Sequence, residues 1–231
     1  MNELIKALQE SDFLHVKLLG DSITHGVGGT GFCQDGEPIV REFARNPNGF
    51  CWAKLFKEHL ERNYRCSVVN NACTGTRIEF IIDNFDTLVE DNDDFVICMI
   101  GTNNRHQYMN TGAQKTREEW GFAFYQNILK LNAMLMAKNK KVVFMANIPA
   151  SAGNEKDGAD YWRILHMNDI NDIYKRASAQ AGFSLVSLYD LFSEYIQEKG
   201  ITVDALLTDG LHPNDDGYQI MYQLLVKAFA V

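Results

Sequence analysis

The sequence has no long apolar stretch. Its longest uninterrupted apolar run, residues 95–100, is far too short to span a bilayer, so no membrane insertion is expected. No Lys/Arg cluster is present either. The 22 basic and 30 acidic side chains leave a formal net charge of −8, which repels polyphosphate backbones and speaks against a nucleic-acid partner. The five cysteines (Cys33, Cys51, Cys66, Cys73 and Cys98) are odd in number and scattered, with no C-x-x-C pair. Reduced thiols fit that pattern better than a disulfide framework or a zinc site. "EDNDDF" at 90–95 lacks the glycine and the distal glutamate of a calcium loop and reads as a solvated turn. No His/Asp/Glu set has metal-ligand spacing, so neither metal nor cofactor is expected. The N-terminal "MNELIKALQESDF" is amphipathic and mixed in charge rather than a secretory signal, which makes the cytoplasm the expected location. No repeat, low-complexity tract or linker divides the chain, so residues 1–231 are expected to form one domain.

What is present is alternation. The chain is 46% hydrophobic, enough for a sizeable core. Short β-branched runs predict strands at 14–20, 65–71, 94–101, 141–147 and 183–188. Between them, "GFCWAKLFKEHLERN", "REEWGFAFYQNILKLNAMLMAKN", "MNDINDIYKRASAQAG" and "DDGYQIMYQLLVKAFAV" carry helical spacing. The last has Asn214 or Asp215 available as an N-cap. Repeated β-α-β units imply a five-stranded parallel sheet with helices on both faces, a three-layer α/β/α sandwich. Ligands in such folds bind beyond the carboxyl ends of the strands. That directs attention to residues 20–25, 70–77, 101–106 and 147–150, and to the long polar loops 24–48 and 150–160.

The first of these segments, "GDSITHGVGGTG", poses a choice. Gly26-x-Gly28-x-x-Gly31 matches a dinucleotide fingerprint, but the strand ends six residues too early, at Gly20. The next strand also ends in Asn70 and Asn71, without the acid a ribose would need. These glycines read instead as a loop at a pocket mouth. Ser22 is the other possibility. Alone it would be a helix cap, and it becomes a nucleophile only with a base and a group to orient that base. "LLTDGLHPNDDGY" supplies a pair, Asp209 and His212, three residues apart in a turn before the last helix. "VVNNACTGTR" after the second strand offers the Gly75 amide, and "MIGTNNR" after the third offers the Asn103 side chain. Both suit donation to a developing oxyanion.

Taken together, "GDSITHG", "VVNNACTGTR", "IGTNN" and "DGLHPNDDGY" resemble, in order, the four blocks of the SGNH hydrolase superfamily, the GDSL-type esterases. The resemblance implies Ser22 as nucleophile, His212 as general base and then acid, and Asp209 as its orienter. It implies an oxyanion hole of the Ser22 amide, Gly75 and Asn103, and a flavodoxin-like strand order 2-1-3-4-5. Two departures stand out: Asn104 occupies the place of a usual Asp, and Ala72 and Thr74 replace common Gly and Ser.

Asp21 is expected to anchor the nucleophile turn by hydrogen bonds. His25 is expected to line the pocket or cap locally, and Cys73 to be a buried thiol. Arg77, Arg105 and His106 follow strand ends; they are either surface ion-pair partners or contacts for an anionic or polyhydroxylated part of the substrate. The expected activity is hydrolysis of a small-molecule ester carrying a short acyl group, foremost acetyl on a carbohydrate. A lysophospholipase- or thioesterase-type lipid hydrolase and a catalytically idle ligand-binding protein are the alternatives.

Overall fold

The structure, a computed structural model, describes residues 3–32 and 49–231. Cys33 and positions 33–48 of the 24–48 loop lie outside the described residues. The strands are β1 (Leu14–Gly20), β2 (Cys66–Asn70), β3 (Phe95–Met99), β4 (His106–Tyr108), β5 (Lys141–Ala146), β6 (Tyr161–Arg163) and β7 (Ser184–Ser187). The helices are α1 (Glu3–Glu10), α2 (Ser22–His25), α3 (Trp52–Asn63), α4 (Ile78–Asp83), α5 (Phe85–Leu88), α6 (Arg117–Ala137), α7 (Met167–Ala181), α8 (Leu188–Lys199) and α9 (Asp215–Phe229).

Five strands form a parallel sheet in the order β2-β1-β3-β5-β7. The short β4 and β6 pair antiparallel outside it, so the sheet's own members run 2-1-3-4-5 as the resemblance implies. Every residue of β3 is buried, as a central parallel strand covered on both faces requires. Its side chains alternate between two cores. Phe95, Ile97 and Met99 meet α1, α3, α8 and α9, whereas Val96 and Cys98 meet α4 to α7.

Local chemistry sets the helix ends. Thr116 accepts from the Glu119 amide at 3.2 Å while the Glu119 carboxylate accepts from the Thr116 amide at 2.9 Å, a capping box that starts α6. Of the two candidate caps for α9, Asn214 takes the position, accepting from the Gly217 amide at 2.9 Å. The 90–95 turn carries one feature beyond expectation. Lys17, fully buried in β1, draws it inward, placing its ammonium 2.9 Å from Glu90 and 3.4 Å from Asp93. A buried cation needs carboxylate partners, so Glu90 and Asp93 turn inward over the charge, while Asp91, Asn92 and Asp94 face water as the solvated-turn reading expects.

The order places β1 and β3 side by side, with Gly20 opposite Met99. The chain leaves β1 towards β2 and returns on the other side to β3, so the loops after β1 and β3 diverge at one edge. That edge is the topological switch point.

Candidate active site

Ser22 opens the four-residue helix α2, directly after β1. Asp21 caps this turn, its carboxylate accepting from the Ile23 amide at 3.1 Å, and burial pushes its pKa up. A side chain at Gly20 would put Cβ within 2.3 Å of the Thr24 hydroxyl, so glycine lets the turn fold tightly onto the strand end. Ser22 is only 4% exposed.

The turn before α9 comes back over this edge. His212 Nε2 lies 2.9 Å from Ser22 Oγ, across 190 positions of sequence, and His212 Nδ1 lies 2.7 Å from Asp209 Oδ2. An ionised carboxylate only accepts, so Nδ1 carries the proton and Nε2 is left as the acceptor facing the serine hydroxyl. The other Asp209 oxygen accepts the Leu211 and His212 amides at 3.0 and 2.8 Å. Burial works to raise the Asp209 pKa, but hydrogen bonds from the His212 ring and these amides outweigh it and hold the carboxyl down at about 2. It therefore stays anionic wherever the protein is folded near neutral pH.

Gly28 explains part of the glycine-rich loop. Its φ is +96°, and a Cβ there would meet the Pro213 carbonyl at 2.4 Å and His212 Cβ at 3.1 Å. The loop is the seat of the histidine turn, not a phosphate cradle. Thr30 holds the same junction, donating from its amide and hydroxyl to Asp215 at 2.8 and 2.7 Å.

The Ser22 amide, in the first turn of α2, has no intrahelical acceptor. The Gly75 amide likewise makes no hydrogen bond to a described residue. Asn103 Nδ2 donates to the Thr76 carbonyl at 2.9 Å, which pins it beside the Gly75 turn and leaves its second amide hydrogen for a ligand. The expected nucleophile, base, orienter and oxyanion donors thus come from four loops on one edge of the sheet.

Residues 18–220 match the GDSL-like lipase/acylhydrolase family. The chain belongs to that family. As such it is a carboxylic ester hydrolase, with a small-molecule ester as its substrate. No curated protein sequence matches it. Among solved structures, an α/β hydrolase, LAE5, from the metagenome of Lake Arreo, Spain, is 22% identical with a TM-score of 0.69, over 94% of this chain and 95% of that one. Axe2, an acetylxylan esterase from Geobacillus stearothermophilus, is 20% identical with a TM-score of 0.69, over 94% of each chain. These likenesses establish a shared fold.

The acylhydrolase places its other candidate residues less simply. His25 is buried; its Nδ1 lies 3.0 Å from the Thr74 hydroxyl, tying the serine turn to the Gly75 loop, and burial lowers its pKa. Cys73 is buried, as expected. Arg77 and Arg105 are not surface ion-pair partners. The Arg77 guanidinium donates to the His106 carbonyl at 2.7 Å and lies over the rings of Tyr108 and Trp120. Arg105 is 1% exposed; it donates to the Thr102 carbonyl and Asn154 and pairs with Glu155 at 3.0 Å. Both are turned to protein acceptors because a half-buried or buried guanidinium has five donors to satisfy. His106 lies between the rings of Tyr108 and Tyr161, at 5.0 and 4.9 Å. Burial first, then the charges of Arg77, Arg163 and Arg105, depress its pKa to about 3, so it is neutral near pH 7.

Asn104 resolves the departure from the usual aspartate. Its Oδ1 accepts the Ile78 amide at 3.1 Å, capping α4, and its Nδ2 donates to Glu79 at 2.8 Å. The carboxylate is supplied from the neighbouring element. Sequence reasoning also missed the antiparallel β4–β6 pair, which with Asn103, Asn154 and Leu211 encloses a cleft of about 230 Å³. The polar loop at 150–160 was its only signal. Among the described residues no cluster could hold a metal ion, and no helix is long and apolar enough to cross a membrane.

Proposed function

We propose that this chain is a serine esterase that removes short acyl groups, acetyl foremost, from carbohydrate alcohols, through Ser22, His212 and Asp209. The observation that carries the reading is the unbroken relay from Ser22 Oγ through the His212 ring to Asp209, at 2.9 and 2.7 Å. His212 Nε2 takes the Ser22 proton as Oγ bonds to the ester carbonyl carbon. The oxyanion forms against the Ser22 and Gly75 amides and the free hydrogen of Asn103. The carbon–oxygen bond to the alcohol then breaks, and the alcohol leaves with the proton returned from Nε2. Water, deprotonated by the same nitrogen, attacks the acyl-enzyme and releases the acid and Ser22.

The neighbouring cleft supports a carbohydrate alcohol. At about 230 Å³ it falls below the roughly 300–1,000 Å³ of drug-sized pockets. Its wall combines rings (His106, Tyr108, Tyr161) with polar groups (Thr102, Asn154, Asp160), which suits a single hydroxylated ring better than an acyl tail. The fold shared with an acetylxylan esterase agrees with this choice.

The test is twofold. A serine-directed fluorophosphonate should label the wild type and leave Ser22→Ala unlabelled. On p-nitrophenyl acetate, butyrate and octanoate, kcat/KM should fall with chain length. Labelling of Ser22→Ala refutes the nucleophile, and a preference for octanoate refutes the short acyl group in favour of a lipid hydrolase.

A further inference from the structure

Arg105, His106 and Arg163 line the cleft beside Asn103, Arg77 packs over the ring of Tyr108 in its wall, and three of these four basic side chains are unavailable. Arg77 is spent on the His106 carbonyl, Arg105 on Thr102, Asn154 and Glu155, and His106 is neutral. Arg163 is different. Of its five guanidinium donors, one is used among the described residues, by Nη2 to the Tyr161 hydroxyl at a long 3.3 Å. Its Nε is shut away from water without an acceptor among the described residues, and Nη1 donates to none of them. No carboxylate among the described residues pairs with the guanidinium. Asp157 accepts the Arg163 backbone amide at 2.6 Å, not its side chain, and Asp160 stands at the exposed rim of the same cleft.

A half-buried cation with so few partners is costly in the free protein. The fold nevertheless holds it in place. In the β4–β6 pairing Arg163 sits opposite His106 and Tyr161 opposite Tyr108. The guanidinium lies over the Tyr161 ring, 5.0 Å from its centroid, and Tyr161 packs on His106. Asn103, the proposed oxyanion donor, and Leu211, beside His212, line the same cleft.

We propose that Arg163 is the charge anchor for the alcohol half of the substrate, and that the esters cleaved are acetylated polyols bearing a carboxylate, sugar acids as a class. This rests on the esterase reading above. The carboxylate takes the open Nη1 edge of the guanidinium, whose planar donors match its two oxygens. A phosphate fits less well: one uncommitted cation offers a single positive charge, Arg105 is already neutralised by Glu155, and Asp160 faces the same space. The tyrosine and histidine rings give the sugar ring a face to lie against, and the neutral His106 adds a hydrogen-bonding edge without charge.

The experiment compares kcat/KM on O-acetyl galacturonate, its neutral methyl ester and O-acetyl galactose 6-phosphate, in wild type, Arg163→Gln and Arg163→Lys. The wild type should prefer the galacturonate to both. The ratio of galacturonate to methyl ester should fall roughly 10- to 100-fold in Arg163→Gln, the worth of a hydrogen bond to a charged group, and less in Arg163→Lys, which keeps the charge but not the fork. An unchanged ratio in Arg163→Gln, or a wild type that prefers the phosphate, overturns the proposal. Galacturonate binding to Ser22→Ala and Ser22→Ala/Arg163→Gln, measured by calorimetry, separates this claim from the esterase reading. If none of the acetyl esters is hydrolysed, that reading fails. Binding lost with Arg163 still upholds the anchor, and equal or undetectable binding to both proteins sinks it.

Discussion

Restoring the usual aspartate at position 104 should damage this protein, because its neighbour has taken over the charge. Asn104 is buried and bridges two groups, accepting the Ile78 amide and donating to Glu79 at 2.8 Å. In Asn104→Asp the Ile78 bond survives, but the donor becomes a second carboxylate oxygen against Glu79. Losing a hydrogen bond to a charged acceptor costs about 1.5–3 kcal/mol. Two like charges about 4 Å apart repel by about 4 kcal/mol at an effective dielectric constant near 20. Glu79 is exposed, however, and can swing into water, which relieves most of the repulsion at the cost of its bond to Asn127. A net loss of about 2–3 kcal/mol follows, which for a chain of this size lowers Tm by roughly 4–12 °C.

The assay is thermal melting of wild type, Asn104→Asp, Glu79→Gln and the double variant at pH 8. In the double variant the amide introduced at position 79 donates to the carboxylate introduced at position 104, reversing the polarity of the pair, so most of the loss should return. Acid should also help the single variant. A carboxyl buried against Glu79 binds its proton more tightly folded than unfolded, so stability falls as pH rises through the carboxylate range and the deficit shrinks below it. Strictly additive losses in the double variant would refute the reasoning, because they would mean that Asn104 and Glu79 do not act on each other.

Three further outcomes follow from the geometry. Asp209→Asn should lower kcat by about 10,000-fold, the order seen when an orienting carboxylate in a serine triad is neutralised. Because the folded carboxyl is held at about 2, below its ordinary 3.8, the stability it contributes is present above the ordinary range and is lost as pH falls towards 2; acid melts of the variant should lack that limb. Gly28→Ala should slow fluorophosphonate labelling tenfold or more, since its Cβ lands 2.4 Å from the Pro213 carbonyl and displaces the histidine turn, and wild-type labelling would count against that packing. Asn103→Ala should cut kcat by about 100- to 1,000-fold, roughly 3–4 kcal/mol, while the lost bond to Thr76 lowers stability by only about 1 kcal/mol; a collapse in Tm would instead make Asn103 a structural residue.

What was legible in the sequence follows the range of the interactions concerned. The strand expected at 94–101 appears as Phe95–Met99 and that at 141–147 as Lys141–Ala146, because a buried parallel strand announces itself as a local apolar run. The two-stranded pair of β4 and β6 did not, since "HQY" and "YWR" are three residues each and exist only through pairing across more than 50 positions. Helix α8 escaped for a related reason: it buries only Leu188 and Phe192, too few to mark a stripe. The choice left open for Arg77 and Arg105, surface ion pair or substrate contact, could not be made because sequence shows a charge but not the carbonyls that surround it. The exchange between Asn104 and Glu79 was invisible because it is made through space, over 25 positions.

Ser22 and His212 stand 190 positions apart, and yet their meeting was the easiest part of the site to foresee. Topology accounts for that. In a doubly wound sheet every strand delivers its following loop to the same edge, so strand ends recognised locally are already placed globally. The proposed chemistry uses three such loops, the nucleophile after β1, Gly75 after β2 and Asn103 after β3, and adds the histidine turn that returns between α8 and α9 to the same edge. The proposed selectivity uses the reverse. Arg163 reaches the cleft through a two-stranded pair built off the sheet, and nothing in the alternation of strands and helices dictates where such a pair goes. Substitutions in the strand-end loops should therefore strike every ester alike, whereas substitutions in β4 and β6 should change which ester is favoured.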